Sequence, residues 1–143
     1  MNLALEEARL AFEEGEVPVG AVLVTGNGNI VSKTHNRRES LNDPTAHAEI
    51  IVLREGANLS ENWRLNNATL YVTKEPCIMC AGTMVNARLG RLVYGCNDSK
   101  GGAVKSLYNI LSDKRLNHQV EVVSGILYYE CASLLKKFFL NLR

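Results

Sequence analysis

The sequence predicts an α/β protein in which helices cover both faces of one sheet. Three observations lead there. Apolar periodicity switches repeatedly between helical and strand-like, in the order αββαβαβαβα, with about five strands and about five helices. The run from Val17 to Val24 is apolar and β-branched almost throughout, as in a strand covered on both sides. A chain of 143 residues, 46% hydrophobic and 22% charged, has the size and balance of one globular domain spanning residues 1–143, and it carries no internal repeat or low-complexity segment.

Each element has its own signal. Leu3, Leu5, Ala8, Leu10, Ala11 and Phe12 recur at helical spacing among glutamates, and Gly15 follows, so residues 2–14 read as an amphipathic helix with a glycine stop. Residues 17–24 form a strand, Gly26-Asn27-Gly28-Asn29 supplies turn chemistry, and Ile30-Val31 starts the second arm of a β-hairpin. A polar loop over 35–43 leads to Pro44, which fits a first helical turn with Asp43 or Thr45 as cap, and the helix runs from about 46 to 56. Residues 68–73 read as a central strand, and Pro76 introduces a helix over 77–87. A strand over 91–95, a flexible loop over 97–102, a short helix over 103–111 and a last strand over 120–123 follow. The final helix begins near Ile126 and carries Cys131, Leu134, Leu135, Phe138 and Phe139 on one stripe.

Composition narrows the setting. The N-terminus is acidic and amphipathic, unlike a signal peptide, which predicts a cytoplasmic protein. No apolar run approaches the roughly 20 residues that span a bilayer, so no membrane role is expected. A formal net charge of +1 does not describe a generally basic nucleic-acid binder; no DNA partner is expected, and any phosphate contact must come from a local patch.

Chemistry is concentrated in two stretches, Pro44-Thr45-Ala46-His47-Ala48-Glu49 and Glu75-Pro76-Cys77-Ile78-Met79-Cys80. In a chain without an export signal, a Cys-x-x-Cys pair is metal-binding or redox-active before it is a disulfide, and Cys96 and Cys131 read as buried apolar thiols. A thioredoxin-like dithiol leaves His47 and Glu49 unexplained. A structural zinc site wants a fourth ligand, and His35, His118, Cys96 and Cys131 stand at no ligand-type spacing. His47, Cys77 and Cys80 make three ligands, the number a catalytic zinc takes while keeping one position for water, and Glu49 remains as an acid/base. On an α-helix His47 and Glu49 are about 200° apart, so they can serve one water only from a site off the helix's N-terminal end. Cys77 and Cys80 share a face, and two helix N-termini meeting there favour thiolates. On composition alone Asn36 reads as a turn residue, Asp98 and Lys100 as a solvated loop, and Lys136-Lys137 as an exposed helix face.

The order His-x-Glu, then Pro-Cys-x-x-Cys, is that of zinc nucleobase deaminases. The chain resembles the bacterial tRNA-specific adenosine deaminases of the cytidine-deaminase-like superfamily. The likeness runs through Glu16 to Val22, His35-Asn36-Arg37, Asp43 to Glu49, Ala68 to Thr73, Glu75 to Gly82, Gly95 to Ala103 and Asn117-His118. The zinc motif alone is shared with guanine, cytosine and deoxycytidylate deaminases, which act on free bases or nucleotides; the Asp98-Ser99-Lys100 loop and the Phe138-Phe139 ending are more particular to the tRNA enzymes. The resemblance implies a three-layer α/β/α fold with a mixed five-stranded sheet, one Zn²⁺ per chain, and a homodimer. It also implies a tRNA anticodon arm as partner and conversion of adenosine to inosine at the wobble base. It further implies that Asn36 contacts the target nucleoside and that Asp98 and Lys100 lie along the RNA path. Against the family pattern, the first helix starts a few residues late and the chain stops soon after Phe139, where relatives often carry a basic tail.

Overall fold

The computed structural model describes residues 1–143. Five strands form one mixed sheet in the order β2-β1-β3-β4-β5. β1 (Gly20–Val24) and β2 (Ile30–His35) make the expected hairpin, closed by a bond from the Thr25 amide to the Asn29 carbonyl at 2.9 Å. β1 also pairs antiparallel with β3 (Thr69–Lys74), and β3 runs parallel to β4 (Arg91–Cys96), which runs parallel to β5 (Glu121–Val123). Parallel neighbours need crossover connections, and α4 (Ile78–Asn86) is the one between β3 and β4.

The continuous apolar run of the first strand has the meaning its sequence suggested. Ala21 and Leu23 point into a core of 22 buried residues shared with α3 (Ala48–Leu59) and α4. On the opposite face, α1 (Asn2–Glu13) lies so close to β1 that a Cβ on Gly20 would collide with the backbone of Ala4 and Ala8. α5 (Tyr128–Asn141) packs beside α1 and against β4, where Leu5, Cys96 and Cys131 form a second, smaller cluster. The result is three layers, α/β/α. No helix is long and apolar enough to cross a membrane.

Three sequence expectations fail locally. Pro44 stands in a turn before α3, not in its first turn, and neither Asp43 nor Thr45 caps that helix. The polar loop contains a short helix, α2 (Arg38–Leu41). The helix expected over 103–111 does not form: the segment is a series of turns ending in a 3₁₀ turn, Ile110–Ser112. A long-range acceptor outbids the helix there. The Glu75 carboxylate takes the amides of Asp98 (2.9 Å), Lys105 (2.7 Å) and Ser106 (2.8 Å) and the Ser106 hydroxyl (2.6 Å). Amides spent on a buried carboxylate are not available to an i−4 ladder.

Candidate active site

α3 and α4 begin side by side, and the structure resolves the spacing difficulty between His47 and Glu49. His47 is not helical. It is the N-cap of α3 with extended backbone, φ −73° and ψ 151°, so its side chain leaves the axis while Glu49 sits in the first turn. Cys77 is likewise the N-cap of α4, at φ −76° and ψ 177°, with Cys80 one turn in. N-caps are usually Ser, Thr, Asp or Asn, whose oxygens bond the first-turn amides. Here neither side chain caps its own helix, and each turns towards the other.

The His47 Nδ1 lies 3.5 Å from Sγ of Cys77 and 3.5 Å from Sγ of Cys80, and all three atoms fall within 4.8 Å of one another. A tetrahedral ion with metal–sulfur bonds of about 2.3 Å and metal–nitrogen bonds of about 2.0–2.1 Å spaces a nitrogen and a sulfur donor roughly 3.5–3.6 Å apart. The donor set and its dimensions fit a metal ion. At Cys77 electrostatics agree: the Cys80 thiol and then His47 hold its thiol down at about 4, against the effect of burial. The Cys77 contact in turn raises the His47 pKa above its ordinary value, and Cys80 is pushed up by its bond to Cys77 and by burial. Thiolate character is what a metal ligand needs.

His47 and Cys77 line a cavity of about 250 Å³, with Cys80 buried behind them. Glu49, 4% exposed, lines it too, and burial raises its pKa above the usual carboxylate range. Asn36 is also on the wall, its Nδ2 donating to Glu16 and to the Val17 carbonyl at 3.4 Å each and its Oδ1 accepting from the Arg38 amide at 3.3 Å. Asp98 contributes to the lining, whereas Lys100 does not: its side chain is exposed, and only its amide reaches back to Asp98 Oδ1 at 3.0 Å. Phe139 reaches the cavity from α5.

Three residues were not singled out from the sequence. Lys74, the last residue of β3, lines the cavity and pairs with Asp98 Oδ2 at 2.8 Å. Glu16 and Glu75, 1% and 2% exposed, hold the two rims by their main chain. Glu16 accepts from the amides of Glu39 at 3.1 Å and Ser40 at 2.7 Å, while Glu75 gathers the 98–106 segment. An acid next to a strand read as buried was the available signal for the glutamates, since a buried charge needs partners. Nothing in the sequence distinguished Lys74 from a solvated strand end.

The chain matches the MafB19-like deaminase family over residues 1–143. It is 50% identical over 143 residues to a tRNA-specific adenosine deaminase of Bacillus subtilis, covering 100% of this chain and 88% of the relative. A tRNA-specific adenosine deaminase of Haemophilus influenzae is 50% identical over 139 residues, covering 97% and 80%. Among solved structures, one from studies of A-to-I editing by tRNA:A34 deaminases at the wobble position of transfer RNA superimposes with a TM-score of 0.90 at 48% identity, over 94% of this chain and 96% of that one. A guanine deaminase from Nitrosomonas europaea, with a TM-score of 0.83 at 19% identity over 96% and 81%, shares the fold. With a deaminase family model matched from end to end and half of its residues shared with such relatives, the chain belongs to the MafB19-like deaminases and, among them, to the tRNA-specific adenosine deaminase family.

Proposed function

We propose that this protein is a zinc-dependent hydrolase that deaminates adenosine to inosine at the wobble position of a tRNA anticodon, residues 1–143 acting as one catalytic domain. The observation that carries the chemistry is the meeting of a His47–Cys77–Cys80 donor set with the buried carboxylate of Glu49 at one cavity, which His47, Cys77 and Glu49 line. His47, Cys77 and Cys80 would hold one Zn²⁺, which when bound supplies a water whose pKa is lowered towards neutrality. Glu49 takes one proton from the water that adds to C6 and delivers it to the ring nitrogen N1, then carries the second, from the new C6 hydroxyl, to the amine, which departs as ammonia while the C6 carbonyl forms. Burial favours the protonated form of Glu49, which suits a group that must give the proton back. Asn36, fixed by three hydrogen bonds, faces the nucleoside. Water and adenosine enter; inosine and ammonia leave.

The tRNA assignment rests on the relatives. Physics supports it, because an anticodon loop already presents unpaired bases and one can turn into a cavity at less cost than from a duplex. Such a partner goes with a cytoplasmic location. A homodimer belongs to the same reading: Ile78, 58% exposed, follows Cys77, whose backbone bridges to Gly102, and the Gly102 carbonyl accepts the amides of the exposed Leu107 and Tyr108, which leaves three large apolar side chains uncovered on connected segments. Met84 and Val85, further along the same helix as Ile78, are buried in this chain's own core.

The test is to incubate the zinc-loaded protein with an anticodon stem-loop carrying a wobble adenosine, beside free adenine, adenosine, guanine and cytosine. Inosine in the stem-loop is expected, at a rate that falls as salt rises. Deamination of a free base with the stem-loop untouched would overturn the substrate and leave the zinc chemistry standing.

A further inference from the structure

The cavity has an electrostatic problem if its substrate is RNA. Three carboxylates line it, those of Glu49, Glu75 and Asp98, against two cations, Lys74 and Arg38. Glu75 is occupied with main-chain amides and faces its own loop. Arg38 lies towards solvent, its guanidinium 3.5 Å from Glu39. Lys74 is different. Its side chain is 29% exposed, it stands at the C-terminal end of β3 directly before the Glu75-Pro76-Cys77 turn, and it meets Asp98 Oδ2 at 2.8 Å. An ammonium has three N–H donors, and one carboxylate oxygen uses one of them. Two remain, on a cation that Asp98 keeps at the wall of the cavity.

We infer that Lys74 binds substrate: its ammonium contacts a phosphodiester flanking the nucleoside that enters the cavity, with Asp98 as the group that aims it. The inference rests on the RNA reading given above. A nucleotide whose base fills a closed cavity brings its two flanking phosphates to the mouth, where an unneutralised charge is costly beside Glu49 and Asp98. Lys100, the cation that the sequence placed on the RNA path, is exposed and outside the cavity lining, so the position nearest the reacting nucleoside falls to Lys74. Lys74 does not touch the reacting atoms in this assignment; it binds and positions.

Steady-state kinetics on the stem-loop, with zinc content and circular dichroism as controls for folding, separate this from a role in holding Asp98 alone. Lys74→Gln should raise KM about tenfold near physiological salt and flatten the log–log dependence of kcat/KM on salt by about 0.7, the share of one phosphate contact on a single strand. Lys74→Arg should recover most of both, and Lys114→Gln, an exposed charge outside the cavity lining, should change neither. A second arm leaves the protein unaltered. Stem-loops with a neutral methylphosphonate at the linkage on either side of the wobble adenosine should include one that weakens the wild type as Lys74→Gln does, with no further loss when the two are combined. An unchanged salt slope in Lys74→Gln, or losses that add in full for both linkages, overturns the inference. A wild-type protein that ignores the stem-loop overturns the RNA reading itself, and this inference with it.

Discussion

At the scale of single residues the candidate site divides into groups to which the proposal gives chemistry and groups that hold them. Glu49→Gln keeps the shape and removes the proton carrier, so turnover should fall by about 10²–10⁴-fold or more with zinc content unchanged. Retained turnover would remove Glu49 from its role. Cys80→Ala should lower zinc, read by metal analysis, well below one ion per chain and depress the melting temperature, because ligand binding energy is also folding energy. The convergence of His47, Glu49, Cys77 and Cys80 was legible in the sequence because ligand chemistry admits few residue types at few spacings. Lys74 was not, because a lysine ending a strand is ordinary, and only the fold brings Asp98 to within 2.8 Å of it.

At the scale of elements, side-chain staples fasten pieces that propensity alone would leave loose. His35, at the end of β2, reaches Glu7 at 2.8 Å and Glu14 at 3.0 Å on and just after α1. Burial lowers its pKa, but hydrogen bonds to Glu7 and Glu14 outweigh burial and hold it above the usual histidine value. A histidine raised in the folded state contributes fully below its unfolded pKa of about 6.5 and loses that contribution as pH rises through the folded value. The stability gap between wild type and His35→Gln, from urea unfolding, should therefore be wider at pH 5.5 than at pH 8.5. A gap independent of pH would mean that the ion pairs contribute nothing. The 98–106 segment follows the same logic: Glu75→Gln converts an acceptor of three amides and a hydroxyl into a mixed donor and acceptor, and should cost about 2–4 kcal/mol. This is also why the sequence misled at 103–111. Local apolar spacing was adequate for a helix, and the competing acceptor lay about 30 residues away, in another element.

For the molecule as a whole, the layering was readable from one strand. Val22 faces α1 while Ala21 and Leu23 face the main core, so a run without polar alternation could belong only between two helical layers. Sheet order was not readable, because the hydrophobic pattern fixes which faces are buried and leaves open which strand lies beside which. If Ile78, Leu107 and Tyr108 are covered by a second copy, light scattering at micromolar concentration should report twice 15.8 kDa, and a charge at Ile78 should return the protein to monomer. A 15.8 kDa species in the wild type would refute the dimer.

The two buried glutamates bear on how freely this active-site rim can diverge. Glu16 and Glu75 grip main-chain amides, which every residue except proline carries, and those amides belong to Glu39, Ser40, Asp98, Lys105 and Ser106. The backbone at the mouth of the cavity is thus set largely without reference to which side chains decorate it. A library randomised at 39, 40 and 105 should yield folded, zinc-loaded proteins at high frequency, with proline as the residue selected against at each position. The rim can be rewritten for new contacts while the catalytic groups behind it stay where they are.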